Sequence, residues 1–233
     1  MRGRKAAALL CLLVLLLAGC GGEMSRYDAA SYIEGLVHAS YLGEGDAKYL
    51  DLVGLTQEEV REDYETGLDR DADWFFRVYR IEDVTGELRE QVRDLFAQVY
   101  GLARVEVVSS LLQQDGSYAV KVMGAPVNIV RLVEQDWDRT TRDFFEEYPP
   151  EEVEKLSAYR RRRVDRLWGE LVLSLYQDKL PESGGLDPVS VTLQLEKNDK
   201  GLYTLSDREF ARLDSLILDR TQAGSRLEEQ TRS

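Results

Sequence analysis

Histidine occurs once in 233 residues and cysteine only twice. Both cysteines, Cys11 and Cys20, lie in the first 20 residues, so the rest of the chain has neither a disulfide nor a thiol nucleophile. The single imidazole, His38, excludes any site built on two or more histidines and leaves a serine hydrolase little choice of base. Positive charge is also scarce: 30 Lys and Arg stand against 43 Asp and Glu, a formal net charge of −13. Nucleic acid is therefore not a partner, and the acidity opposes contact of the body with an anionic bilayer. A chain of this size can bury roughly 70% of its unfolded surface, enough for one substantial core or two small ones.

The amino terminus has what the remainder lacks. Arg2, Arg4 and Lys5 form a basic head, and an uncharged apolar run follows from Ala6 to Leu17. As a helix that run reaches roughly 18 Å, short of the ~30 Å hydrocarbon core, which suits a signal peptide better than a transmembrane span. Leu17-Ala18-Gly19-Cys20 closes it with small residues before a cysteine. This stretch resembles the lipobox of bacterial lipoproteins. The resemblance implies cleavage between Gly19 and Cys20, diacylglyceryl and acyl (palmitate-type) modification of Cys20, and a protein anchored on the extracytoplasmic face of the cell membrane. Gly21 rather than Asp follows the cysteine, so in a Gram-negative host the outer membrane would be the destination.

Beyond a tether (20–26), Ser25 or Asp28 can cap a first helix with the apolar stripe Ala29, Tyr32, Ile33, Leu36, Val37 and Tyr41, ending at Gly43. Thr56 and Glu59 form a capping-box pattern ahead of Val60, Tyr64, Leu68, Phe75 and Val78, with Gly67 or the 69–73 acidic cluster as a candidate break. A further helix opens near Thr85 and carries Leu88, Val92, Leu95, Phe96 and Val99 toward Gly101. The period then drops to two. A hairpin over 103–123 turns at Gln114-Asp115-Gly116, and a second over 189–204 turns at Asn198-Asp199-Lys200-Gly201. Between them the spacing predicts helices over 127–178, interrupted at Pro149-Pro150, with one long helix from Glu151 to about Asp178. Ser206 and Glu209 open a last helix to about 219, and 221–233 reads as a polar, frayed tail.

The expected organisation is a signal peptide (1–19), the tether, a helical part (27–102), an α+β part (103–220) and the tail. The two hairpins each have one apolar face to bury, so the fold class is α+β, mainly helical, with both hairpins in one antiparallel sheet packed by helices. Gly116/Tyr118 and Gly201/Tyr203 sit alike after helix and turn, as in a duplication or in convergent helix–hairpin units. With its lipobox and the segment YIEGLVHASYLGEGDAKYLDLVG, the chain resembles the uncharacterised small lipoproteins of Gram-positive bacteria; its second half is similar to cystatin-like or nuclear-transport-factor-like folds. Neither resemblance brings catalytic residues.

No catalytic residue, metal site or cofactor emerges. Asp69-Arg70-Asp71-Ala72-Asp73 opens like a calcium loop but places Trp74 where the turn needs glycine and Arg80 where a bidentate glutamate should close it. Asp46, Asp51, Glu58 and Glu59 read as caps and surface charge, though a carboxylate-based hydrolase needs no histidine or cysteine. Arg160 to Arg163 go round most of a helix circumference, and Arg160 falls on the stripe Val153, Leu156, Val164, Leu167, Leu171 and Leu175. We therefore expect a half-buried Arg160 ion pair, with an anion or headgroup contact by Arg160, Arg163 and Arg166 as the alternative. Tyr27, Tyr32, Tyr41 and Tyr49 offer a tyrosine-rich face for a partner, and Trp74, Trp137 and Trp168 read as core. The functional expectation is a non-catalytic, lipid-anchored protein that binds a protein, peptide or envelope component. The alternative is a small-ligand or lipid pocket between sheet and helices.

Overall fold

The computed structural model describes residues 25–198 and 202–230. Gly19, Cys20, the rest of the expected signal peptide and residues 199–201, where the second turn is expected, lie outside the described residues. No described helix is long and apolar enough to cross a membrane.

Side-chain caps start the helices of the first half. Helix α1 (Arg26–Leu42) begins at Ser25, whose hydroxyl accepts from the Asp28 amide while the Asp28 carboxylate accepts from the Ser25 amide, and it stops at Gly43 with φ 68°. A short helix α2 (Ala47–Val53) follows, capped by Asp46. Its apolar content is too brief to show a period. Thr56 and Glu59 form a full capping box on α3 (Gln57–Val78), and Thr85 caps α4 (Gly86–Leu102). Neither Gly67 nor the acidic cluster breaks α3. The cluster instead faces arginines across the α3–α4 contact: Arg89 bonds Asp73 at 2.8 Å, and Arg93 pairs with Glu65 and Asp69.

Strand β1 (Arg104–Leu112) and β2 (Tyr118–Ala125) form the first hairpin, with Gly116 at φ 84° in its turn. A bulge between Val107 and Ser109 shifts the register. Helix α5 (Ile129–Glu147) leads to Pro149, a one-turn helix α6 (Pro150–Val153) and then α7 (Ala158–Lys179). The single helix expected from Glu151 is thus two, because the chain turns at 154–157 before α7 begins. Strands β3 (Val189–Lys197) and β4 (Tyr203–Leu205) complete one antiparallel sheet in the order β1-β2-β3-β4. Tyr118 pairs with Leu195, Val120 with Leu193 and Val122 with Val191, so these share the face covered by Ala29 and Ile33 of α1 and by Leu213. Ala119, Lys121 and Met123 pair with Gln194, Thr192 and Ser190 on the opposite face, the open face of an α+β layer. The tyrosines after the two turns meet, with Tyr118 and Tyr203 rings 5.4 Å apart and the Tyr203 hydroxyl donating to Gly116 O.

Helix α8 (Asp207–Asp214) is capped by the Ser206 hydroxyl, but Glu209 does not close a box. Its carboxylate accepts from the Gln194 amide of β3 at 3.0 Å and pairs with Arg212. β4 ends opposite Leu195, and Glu209 satisfies the next donor along. The expected frayed tail is also ordered through Gln230: α9 (Ser225–Gln230) docks with Leu227 4% exposed. A second, helical core joins Phe75, Tyr79, Phe96, Trp137, Trp168 and Tyr176.

Candidate functional site

Two polar concentrations interrupt these cores, and they differ in how their charges are satisfied. Between α1, α3, α4 and the segment after α8, a cleft of about 640 Å³ holds Asp71, Asp214, Arg220, Tyr41 and Tyr100. Arg220 Nη2 donates to Asp71 at 2.8 Å and to the Tyr100 hydroxyl at 2.9 Å, and its guanidinium lies 4.6 Å from the Trp74 ring centre. Tyr100 donates to the other Asp71 oxygen, and Tyr41 donates to Asp214 at 3.0 Å. Burial pushes the Asp214 carboxyl above its usual range, against the opposing pull of Arg220 and the Tyr41 hydrogen bond. The charges here answer one another, as expected of a structural network. Tyr32, Tyr41 and Tyr49 are all buried, and of the tyrosines expected to face a partner Tyr27 alone is exposed.

The second concentration is differently built. The carboxyl end of α5 brings Phe144, Phe145 and Tyr148 beside Trp168 of α7, with ring centres of Phe144 and Phe145 each 5.2 Å from Trp168. Trp168 is fixed from behind, its indole N–H donating to Tyr79 O at 2.8 Å. Residues 79–83 pass over α7: Asp165 accepts from the amides of Glu82 and Asp83, and Arg166 pairs with Asp83 at 2.7 Å. Between these elements opens a cleft of about 730 Å³ with this aromatic floor, edged by Arg80, Arg161, Arg162 and Leu227. It lies among helices rather than between sheet and helices, where the small-ligand reading placed a pocket.

The arginine run borders this cleft. Arg160 is exposed and has no carboxylate partner among the described residues, so the half-buried ion pair expected of it is not formed. The reason is the late start of α7 at Ala158, which puts Arg160 in the first turn, ahead of the buried stripe Val164, Trp168, Val172 and Leu175. Arg161 donates to the carbonyls of Leu156 and Glu154 at 3.0 and 3.2 Å. Arg162 and Arg163 are exposed and, like Arg160, meet no carboxylate within ion-pair distance among the described residues. Arg160, Arg163 and Arg166 do fall in one region: Arg163 and Arg166 line a second depression of about 420 Å³, Arg160 and Arg163 a third of about 460 Å³. The residues that sequence reasoning missed are Phe144, Phe145 and Tyr148, whose i, i+1, i+4 spacing reads as core. His38 is exposed on α1, away from this cleft.

No family model matches the chain, and no curated protein matches it. Its fold is similar to that in the crystal structure of a putative lipoprotein (ycdA) from Bacillus subtilis, with a TM-score of 0.55 and 14% sequence identity over 82% of this chain. The match covers 56% of that structure, so this chain spans little more than half of its length. At this identity the likeness concerns the fold.

Proposed function

We propose that this is a lipid-anchored, non-catalytic extracytoplasmic binding protein, whose binding site is the aromatic cleft beside Arg160, Arg162 and Arg163. The observation that carries the site is the coincidence of an aromatic floor with Arg162 at its edge and Arg160 and Arg163 in the adjoining depressions, none with a carboxylate partner among the described residues, in a chain of net charge −13. Unpaired arginines beside half-buried rings favour a ligand with both an anionic and an apolar part. The anchor reading rests on Leu17-Ala18-Gly19-Cys20 and is supported by a fold similar to that of a structure described as a putative lipoprotein. Two or three acyl chains, each buried methylene contributing about 0.8 kcal/mol, would hold the body at the membrane.

Two measurements test the reading. Cells given labelled palmitate should label the chain and not a Cys20→Ser variant; an unlabelled parent chain sinks the anchor. Saturation-transfer NMR with phenyl phosphate, a soluble probe with one ring and one dianion, should show transfer to the ring protons that falls in Arg162→Ala. No transfer, or equal transfer in the variant, sinks the site.

A further inference from the structure

The three depressions around the amino-terminal half of α7 are one continuous surface. Arg162 borders the first and second, Arg163 and Leu167 the second and third, and Tyr148, Val153 and Val164 the first and third. The first and third have apolar walls, while the second is lined by Arg162, Arg163 and the Arg166–Asp83 pair, with Leu167 and Tyr159 beside them. Apolar and cationic surfaces thus lie side by side along this half of the helix.

We propose that this groove docks an extended peptide segment in which acidic and bulky apolar side chains alternate, a refinement that rests on the cleft being the binding site. In an extended chain, side chains on one face repeat at about 7 Å. Arg160 and Arg163 stand three residues apart on one face of α7, with Cβ atoms about 5–6 Å apart, close enough to that repeat for guanidiniums on flexible stems to meet successive carboxylates. The apolar side chains of the peptide, leaving the strand on its other face, meet the facing wall of the third depression, Tyr148, Pro149, Val153 and Leu156, and the aromatic floor of the first where the two depressions join at Val153 and Val164.

Charge distribution favours a narrow peptide over a broad anionic surface. Glu147 and Glu152 border the third depression and Glu82 and Glu154 the first, so the positive strip is hemmed by carboxylates on both sides. A bilayer or polyanion wide enough to cover those glutamates would be repelled by them, whereas a single strand carries its charge along the line of arginines.

The test uses the full chain held in phosphatidylcholine nanodiscs and a fluorescein-labelled probe, Glu-Phe-Glu-Leu-Glu-Phe-Glu, read by anisotropy against empty discs. Saturable binding is expected, weakened about tenfold or more in the double variant Arg160→Ala/Arg163→Ala. These side chains are exposed, so an unchanged thermal midpoint will show that the variant folds. The charge-reversed pair Arg162→Glu/Arg163→Glu should lose this probe and gain the lysine counterpart, Lys-Phe-Lys-Leu-Lys-Phe-Lys. Equal binding of a block peptide with the same composition, Phe-Phe-Leu-Glu-Glu-Glu-Glu, overturns the proposal, as does binding of phosphatidylglycerol discs with none of the peptide. Phenyl phosphate transfer without peptide binding removes the peptide and leaves the cleft; loss of both removes the cleft as well.

Discussion

Arg220 and Asp71, 149 residues apart in sequence, meet at 2.8 Å with side chains 21% and 15% exposed, and so fasten the segment after α8 to the middle of α3. The guanidinium is enclosed by the Trp74 and Phe96 rings, at 4.6 and 5.7 Å. Burial works against its charge, yet Tyr100, Asp71 and Asp214 outweigh burial and raise its pKa further. Removing one partner of such a pair leaves the other charged and poorly solvated. Arg220→Ala should cost about 3 kcal/mol, read as a shift of the urea midpoint at unchanged slope. Asp71→Asn/Arg220→Met should recover part of that loss, and additive losses would show that the two do not interact.

Glu134, 4% exposed on α5, has no cationic partner among the described residues and caps α9 from a distance of 90 residues. Its carboxylate accepts from the amides of Gly224 and Arg226 at 2.8 and 3.0 Å, from the Ser225 hydroxyl at 3.0 Å and from Tyr79 at 3.3 Å. In Glu134→Ala these donors lose their acceptor, at about 2 kcal/mol or more. Because α9 is terminal and Arg220 is held separately by Asp71, the loss should appear locally: trypsin should cut after Arg226 well below the global unfolding temperature. Since Leu227 forms one wall of the aromatic cleft, phenyl phosphate transfer should fall with it.

Asp28 supplies a pH-dependent contribution. Its hydrogen bonds with Ser25, and then Lys48, hold its carboxyl at about 2 in the folded chain against 3.8 ordinarily. A depressed folded value means that the unfolded state takes up protons first as pH falls. The stabilisation is therefore complete above the ordinary value and is lost between about 4 and 2. Hydrogen-exchange protection of the Ala29 to Ile33 amides, taken relative to the intrinsic rate at each pH, should fall over that window in the parent chain. In Ser25→Ala, which loses a cap worth about 1 kcal/mol, the same amides should be fast at neutral pH and respond less to acid.

Much of this fold is legible locally, and the exceptions share one cause. Ser25, Thr56 and Thr85 cap helices three residues ahead, and Val189 to Glu196 alternates strictly, so short windows suffice. Glu134 capping α9 and Glu209 completing the β3 edge are caps made in space, invisible to any window. A stripe extended backward through 154–157 places Arg160 in the core only by presuming a helix that has not yet begun. The aromatic cleft was hidden for a related reason: Phe144, Phe145 and Tyr148 have core spacing, and only the turn between α6 and α7 leaves their faces uncovered.

Gly35 and Gly101 should respond oppositely to alanine. A Cβ on Gly35 would lie 2.4 Å from Cβ and Cγ of Tyr49, which packs α2 onto α1, and neither atom is a flexible end. Gly35→Ala should cost about 1–3 kcal/mol. Gly101, exposed in the last turn of α4, has nothing within 4 Å, so Gly101→Ala should add up to about 1 kcal/mol. Thermal melts of the two variants decide this, and equal shifts would show that the α1–α2 contact is looser than described.

Arg80 adopts φ 54°, the sole non-glycine residue with positive φ among those described. It sits at the mouth of the aromatic cleft, immediately after Tyr79, whose carbonyl holds Trp168. The left-handed region costs an L-residue about 1–2 kcal/mol, partly offset in any glycine replacement by the entropy glycine loses on folding. Arg80→Gly should therefore raise the thermal midpoint slightly, while Arg80→Ala, which keeps the strain, should not. If the strain is retained because the guanidinium is needed at the cleft, both variants should weaken phenyl phosphate transfer, including the one that melts higher. A glycine variant with higher stability and undiminished transfer would leave Arg80 no part in binding, and its conformation would then be a feature of the 79–83 turn alone.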